Sequence, residues 1–209
     1  MKNYLYRQGY LKGLAGEDSV YSVLSQLTNS VSSQFYNANL FRNVELPSFT
    51  PDWRGGLLRS SEADFVLLTK AAAYSVEVKH RSVFAYVNSA VTVAELFDCE
   101  GNCLDCDPIA QNNIHTQALS RLLKIYPKDR VFGVTVFVEP LLLEGNAHEF
   151  KCGRLVTDLE HLPALMEQKE QSLRPYLSNE WLLPAIDTLK VREAFVIGKK
   201  AWESNEEAA

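Results

Sequence analysis

Two carboxylates and a lysine lie on neighbouring short apolar segments of this sequence. The first segment holds Asp64, and the second holds Glu77 and Lys79 in a Glu-x-Lys pattern. Both segments are brief and rich in Val, Leu and aromatic residues, which is typical of β-strands. Because side chains alternate along a strand, we expect Glu77 and Lys79 on one face and the residue between them on the other.

The link between the two segments decides whether the carboxylates meet. If Lys70 and Ala71 form a two-residue hairpin loop, Asp64 faces Glu77 with Cβ atoms about 5 Å apart. A change of one residue in the loop would put the two carboxylates on opposite faces. Carboxylates this close repel each other unless a cation lies between them. The pattern predicts a divalent-metal site beside a lysine, and the alternative is an ordinary solvated strand face.

The composition of the 209-residue chain is that of a globular protein, with 46% hydrophobic and 22% charged residues. No apolar stretch reaches the roughly 18–20 residues that a membrane span needs, and the N-terminus lacks a signal peptide's apolar core. We therefore expect a cytoplasmic protein that does not associate with membranes. The net charge of −5 argues against charge-driven coating of nucleic acid. It is compatible with a nucleic-acid enzyme that holds phosphates through metal ions and a local basic patch.

The apolar pattern along the chain predicts a mixed α/β fold. The elements expected are, in chain order, a helix over 14–35, a strand at 35–41, hairpin strands at 62–69 and 73–80, short strands at 83–87 and 91–97, a polar loop at 98–107, a helix from Asp107-Pro108 to about residue 125, and a buried strand at 131–138. The order helix, three strands, helix, strand can build one central sheet covered by helices on both faces.

The last third of the chain has a different character. We expect residues 1–140 to form the core and residues 141–209 to form a C-terminal helical extension packed on it. The run Thr157-Asp158-Leu159-Glu160 is typical of a capping box that opens a helix ending near residue 171. A final helix is expected over 181–203.

Three of the four cysteines cluster in one acidic segment, as Cys99, Cys103 and Cys106. Their spacing fits part of a zinc site and also occurs in enzymes that bind an iron–sulfur cluster. The candidates for a fourth zinc ligand are Cys152, His115 and His148. Free thiols, zinc and an iron–sulfur cluster all stay open, and free thiols are favoured because no other motif supports the cluster chemistry.

Four short segments occur in an order that is typical of one protein family. They are Gly13-Leu14-Ala15-Gly16-Glu17, Glu62-Ala63-Asp64-Phe65-Val66-Leu67, Tyr74-Ser75-Val76-Glu77-Val78-Lys79 and Asp107-Pro108-Ile109-Ala110-Gln111. Over about residues 13–138 the chain resembles the nuclease-related domain (NERD) family of the PD-(D/E)XK nuclease superfamily. Ala63, His80 and the cysteine segment depart from the family pattern, but none of them removes a catalytic group.

The resemblance implies a restriction-endonuclease-like αβββαβ core, with a central mixed sheet flanked by helices and C-terminal helices beyond it. It implies a nuclease that hydrolyses phosphodiester bonds with water activated by Mg²⁺ or Mn²⁺, the ions favoured by hard oxygen ligands. Asp64 and Glu77 are the expected metal ligands. Lys79 is expected to orient or deprotonate the water and to offset charge that builds on the phosphate.

Two further residues acquire roles from the resemblance. Glu17 is expected to bind a second metal or its water, and Gln111 to align the substrate or Lys79. Each residue also has a simpler explanation, because Glu17 suits the positive end of a helix dipole and Gln111 fits a solvated helix face.

The resemblance implies nucleic acid as the partner, with DNA favoured over RNA. The candidates for phosphate contacts are Lys12, Arg81, Arg121 and Lys124. Arg121 and Lys124 also fit a helix face that is simply solvated. The sequence does not choose between endonuclease and exonuclease, and it leaves a homodimer open.

Two other functions stay open beside the nuclease. One is a catalytically weak nucleic-acid-binding or scaffolding module that retains the nuclease fold. The other is an interaction domain that is stabilised by a metal ion bound to the cysteines. The enzyme is favoured, because a pure binding module has no need to keep two carboxylates close together.

Overall fold

A computed structural model describes the chain over residues 2–47, 60–80, 84–88, 93–97, 101–104, 108–138, 141–144, 149–150 and 154–206. Within these ranges the elements are, in chain order, α1 (Lys2–Asn29), β1 (Asn39–Leu46), β2 (Ser61–Leu68), β3 (Ala73–Lys79), β4 (Phe84–Asn88), β5 (Val93–Phe97), β6 (Cys103–Leu104), α2 (Pro108–Leu122), β7 (Val131–Phe137), β8 (Leu141–Glu144), β9 (Glu149–Phe150), β10 (Arg154–Asp158), α3 (Leu162–Gln171) and α4 (Asn179–Glu206), with a 3₁₀ turn at Lys128–Arg130. None of the helices in this part of the chain has the length and apolar character of a membrane span.

A mixed sheet with the strand order β1-β2-β3-β7-β10-β9 forms the centre of the fold. Strand β2 pairs antiparallel with both β1 and β3, β7 pairs parallel with both β3 and β10, and β9 pairs antiparallel with β10. A smaller sheet has the order β6-β5-β4-β8. Its strands β4 and β5 are the two short strands that the sequence predicts, while β6 lies in the segment expected to be a loop. The order α1-β1-β2-β3-α2-β7 confirms the restriction-endonuclease-like αβββαβ core, with β4 to β6 inserted after β3.

Helices cover both faces of the central sheet. Leu24 of α1 and Met166 of α3 belong to one buried apolar cluster, together with Tyr74 of β3. Leu119 of α2 and Leu189 of α4 belong to a second cluster on the sheet. Strand β7 is buried along its whole length, which explains why its sequence is apolar at every position except Thr135 rather than alternating.

The first strand begins later than its sequence indicates. The apolar residues at 35–41 predict a strand, but a turn precedes β1. Asn37 adopts the left-handed conformation with φ of 62°, and its backbone N–H donates to the carbonyl of Thr28 at 3.0 Å. Asparagine tolerates this conformation better than most residues. Phe35 is fully buried, so its apolar character reflects core packing rather than a strand.

The extension over residues 141–209 is not wholly helical, contrary to the prediction. Strand β8 joins the smaller sheet, and β9 and β10 complete the central sheet before α3 begins. Because β10 runs parallel to β7 inside the sheet, Leu155 and Val156 are buried and apolar. Asp158 then ends the strand, since its Oδ1 accepts the backbone N–H of His161 at 2.8 Å. The expected capping box therefore forms the turn between β10 and α3.

Gly16 allows α1 to approach the end of β3. A Cβ atom on Gly16 would lie 2.5 Å from the Cβ of His80, closer than carbon atoms approach each other. His80 follows Lys79 and Gly16 precedes Glu17, so this contact brings two predicted site residues towards each other. Gly13, one turn earlier, has nothing within 4 Å of such a Cβ.

The two glycines allow a matched test of this packing. We expect Gly16→Ala to lower the free energy of unfolding by about 1–3 kcal/mol, because α1 and His80 must move apart. Gly13→Ala should leave it unchanged or raise it by up to about 1 kcal/mol, because alanine favours a helix. Urea unfolding followed by circular dichroism measures both values. Equal effects of the two substitutions would show that α1 does not depend on its contact with His80.

Candidate active site

Strands β2 and β3 form the hairpin that the sequence predicts. Phe65 pairs with Val76, which is the register of a two-residue loop and sets Asp64 next to Glu77. Thr69 stabilises the loop, because its Oγ1 accepts the backbone N–H groups two and three residues further on, at 3.0 and 2.9 Å.

The two carboxylates meet on these neighbouring strands. Oδ2 of Asp64 accepts a hydrogen bond from the backbone N–H of Val78 at 2.7 Å, so its side chain lies across β3. Asp64 is half-buried, whereas only 3% of Glu77 is exposed. Asp64 is therefore partly accessible to solvent, whereas Glu77 is enclosed by protein.

Lys79 lies beside Glu77, as the alternation of side chains predicts. Its Nζ donates to Oε1 of Glu77 at 2.6 Å and to Oε1 of Gln111 at 2.9 Å. Gln111 lies in the first turn of α2, so the helix brings the fourth sequence motif onto the third. These contacts join Asp64, Glu77, Lys79 and Gln111 into one site.

His115 also belongs to this site, although the sequence suggested it only as a zinc ligand. It lies one helical turn after Gln111 on α2 and is 3% exposed. Its Nδ1 is 3.1 Å from Oε2 of Glu77, the oxygen that Lys79 does not contact. The spacing of four residues between Gln111 and His115 on a helix was the signal that could have indicated this role.

Polar contacts and a glycine allow α2 to pack closely against the sheet beside the site. Nδ2 of Asn112 donates to the backbone oxygen of Ser75 at 3.4 Å and to Oγ1 of Thr135 at 3.3 Å. A Cβ on Gly133 of β7 would lie 2.5 Å from Oγ1 of Thr116. Because Gly133 lacks this atom, α2 packs closely on β3 and β7 and its side chains reach the carboxylates.

Glu17 reaches the site from α1, and a residue that the sequence did not single out holds it. Oε2 of Glu17 is 3.3 Å from Nη2 of Arg42, and Oδ1 of Asp18 is 2.7 Å from the same atom. The charge of Glu17 also makes a small contribution to the raised pKa of Asp64. Arg42 is an isolated basic residue in β1, and no sequence pattern connects it to the other motifs.

The local electrostatics shift the pKa values of Asp64 and Glu77 in opposite directions. Burial and the charge of Glu77, with a smaller effect of Glu17, raise the pKa of Asp64 to about 8. Burial also raises the pKa of Glu77, but His115 and Lys79 outweigh it and hold this pKa below its ordinary value. Asp64 therefore holds its proton more tightly than Glu77 does, as expected for close carboxylates.

The basic residues suggested as phosphate contacts lie on different elements. Lys12 lies in α1, five positions before Glu17 in sequence. Arg121 lies in the last turn of α2 and Lys124 follows the helix, both with exposed side chains. Arg81 lies outside the described residues.

The cysteines give no metal site within the part of the chain that the structure describes. Cys103 is exposed and forms no disulfide, and Cys99, Cys106 and Cys152 lie outside this part. No group of three or more His, Cys, Asp or Glu side chains in the described ranges is arranged to hold a metal ion. The pair of carboxylates is a smaller donor set, of the size that Mg²⁺ uses when phosphates and water supply its other ligands.

Comparison with known proteins identifies one family. Residues 12–138 match the family model for the nuclease-related domain, NERD. The match covers more than half of the 209 residues. No curated protein sequence and no solved structure matches the chain.

The raised pKa of Asp64 predicts a pH dependence of the metal-free protein. Asp64 binds a proton more tightly in the folded state than in the unfolded state, so its contribution to stability is lost as the pH rises from about 4 to about 8. Asp64→Asn removes this loss. We therefore expect the stability of Asp64→Asn relative to the parent to increase over this pH range and to level off above it.

Urea unfolding in EDTA at several pH values measures this difference. Asp129→Asn is a suitable control, because Asp129 is an exposed residue of the 3₁₀ turn and should follow the parent at every pH. A stability difference between Asp64→Asn and the parent that does not change with pH would contradict the raised pKa of Asp64.

Proposed function

The chain belongs to the nuclease-related domain (NERD) family, and from this membership we propose that it is a metal-dependent nuclease that hydrolyses phosphodiester bonds, with DNA as the favoured substrate. The observation that carries the proposal is the convergence of Asp64, Glu77 and Lys79, with Gln111 bonded to the lysine. Two carboxylates beside an amine can hold a divalent cation and a water molecule next to a phosphate.

Mg²⁺ or Mn²⁺ is the proposed cofactor, and Asp64 and Glu77 would hold it, because both ions prefer oxygen ligands. When bound, the ion polarises a phosphate oxygen and makes water nucleophilic near neutral pH. The raised pKa of Asp64 supports a cation here, because close carboxylates that cannot both ionise without help are stabilised by added positive charge.

Lys79 is proposed to orient or deprotonate the attacking water and to offset the negative charge that builds on the phosphate. Two acceptors aim its amine, Oε1 of Glu77 at 2.6 Å and Oε1 of Gln111 at 2.9 Å. Its side chain is 16% exposed, so the amine can meet a substrate while remaining largely shielded from bulk water. In this arrangement Gln111 aligns Lys79, the second of the two roles considered for it.

Glu17 is proposed to bind water at the site rather than a second metal ion. The guanidinium of Arg42 already lies 3.3 Å from its carboxylate, and Asp18 holds the same guanidinium. A second cation would have to compete with Arg42 for Glu17. The contacts therefore favour a single metal ion between Asp64 and Glu77.

Removal of the lysine amine is the direct test of this function. Lys79→Ala should reduce cleavage by at least about 100-fold while the protein stays folded, because the charge on the reacting phosphate is then not offset. Asp64→Asn should also abolish cleavage, and it should weaken Mg²⁺ binding. The assay uses labelled linear, circular and single-stranded substrates with Mg²⁺, Mn²⁺ or EDTA.

Lys190→Ala is the matched control, because Lys190 is an exposed lysine of α4, and this variant should cleave as well as the parent. Cleavage in EDTA, or full activity of Asp64→Asn, would contradict the metal assignment. If the parent binds nucleic acid but cleaves none of the substrates, the protein is a binding or scaffolding module.

The proposed phosphate path predicts a change in salt dependence. Replacing Arg121 and Lys124 together with Ala should weaken DNA binding and reduce the slope of log affinity against log salt concentration by about 0.9 for each phosphate that the protein no longer neutralises. Fluorescence anisotropy on an Asp64→Asn background measures the slope without cleavage, and Lys190→Ala again serves as the control. An unchanged slope would mean that these two residues only solvate the end of α2.

A further inference from the structure

One buried contact in the site has no role in the chemistry proposed so far. His115 and Glu77 are each 3% exposed, and Nδ1 of the imidazole lies 3.1 Å from Oε2 of the carboxylate. Among the residues that the structure describes, neither atom has a well-aligned hydrogen-bond partner. The two atoms are thus within hydrogen-bonding distance of each other, but the contact is poorly aligned. Hydrogen bonds in active sites are often of this kind before substrate and cofactor bind.

From this geometry we propose that His115 is a positioning residue that sets the orientation of the Glu77 carboxylate for the metal ion. This inference rests on the proposed function. Lys79 donates to Oε1 at 2.6 Å and His115 faces Oε2, so the carboxylate is held from both sides. Rotation of the carboxylate would break both interactions. A buried carboxylate held in this way presents its remaining lone pairs in a constant direction.

The role of His115 is to position Glu77 and not to react with the substrate. Its side chain is enclosed between α2 and the sheet, whereas Asp64 and Lys79 are the partly exposed members of the site. The role requires only a proton on Nδ1, which the neutral imidazole can carry as one of its two tautomers. It therefore does not depend on a charged histidine.

Contacts of the neighbouring residues on α2 fix the position of His115. Gln111 and His115 are one turn apart on α2 and contact Lys79 and Glu77 respectively. Asn112, next to Gln111, is anchored to the sheet by its contacts with β3 and β7. Residues that orient a metal ligand from behind typically change metal affinity by 10–100-fold when they are replaced.

Asparagine and leucine at position 115 separate this role from simple packing. The side-chain amide nitrogen of Asn lies close to the position of Nδ1 of histidine and donates a hydrogen bond without carrying a charge. Leucine fills space but donates nothing. Isothermal titration of the full chain with Mg²⁺ should show an affinity about 10–100-fold weaker for His115→Leu and substantially restored for His115→Asn. His161→Leu, at an exposed histidine before α3, should bind Mg²⁺ like the parent.

A second measurement tests the contact in metal-free protein. With ¹⁵N-labelled histidine in EDTA, NMR should show a proton on Nδ1 of His115 that exchanges slowly with water, and Glu77→Gln should shift its resonance. This readout decides the inference even if His115→Leu does not fold.

The inference is overturned if His115→Leu binds Mg²⁺ with the affinity of the parent. It is also overturned if folded His115→Leu and His115→Asn bind Mg²⁺ equally weakly, or if Nδ1 carries no proton. A parent protein that binds no Mg²⁺ but shows the Nδ1 proton and its shift would instead refute the proposed function alone, and His115 would then orient Glu77 for another purpose.

Discussion

Repulsion between two neighbouring carboxylates is the constraint around which this site is built. The register of β2 and β3 sets Asp64 beside Glu77, and burial makes the second charge costly. Three polar groups of the described residues reduce this cost. The N–H of Val78 donates to one carboxylate, while Lys79 and His115 face the two oxygens of the other. These groups do not fully offset burial and the charge of Glu77, because the pKa of Asp64 remains raised, so the site favours a further positive charge.

The register on which the repulsion depends is held from outside the hairpin. The backbone N–H groups of Tyr176 and Leu177 both donate to the carbonyl of Lys70 in the loop, at 2.8 and 2.9 Å. The hydroxyl of Tyr126 donates to the carbonyl of Thr69 at 2.6 Å. The segment between α3 and α4 therefore clamps the turn at the opposite end of the strands from the carboxylates. The C-terminal part of the chain thus stabilises the hairpin of the core.

Close helix packing completes the site from both sides. Gly16 lets α1 approach His80, which brings Glu17 towards the end of β3 that carries Lys79. Gly133 lets α2 approach the sheet, which brings Gln111 and His115 to the lysine and the buried carboxylate. A larger side chain at either glycine would separate a helix from the strands by a few tenths of an ångström or more, enough to disturb hydrogen bonds of 2.6–3.1 Å.

The sequence alone determined the local parts of this protein. The existence of the β2–β3 hairpin and the start of α2 at Pro108 follow from apolar patterning and proline chemistry, which act over a few residues, and the two-residue loop that the sequence allowed gives the observed register. Tertiary structure decided which side chains and strands distant segments contribute to the site and to the sheet. Arg42 pairs with Glu17 and His115 faces Glu77 only because separate elements pack together, and β10 enters the sheet by parallel pairing across a long connection. Periodicity carries no information about such contacts, because it records which face of an element is buried but not which element covers it.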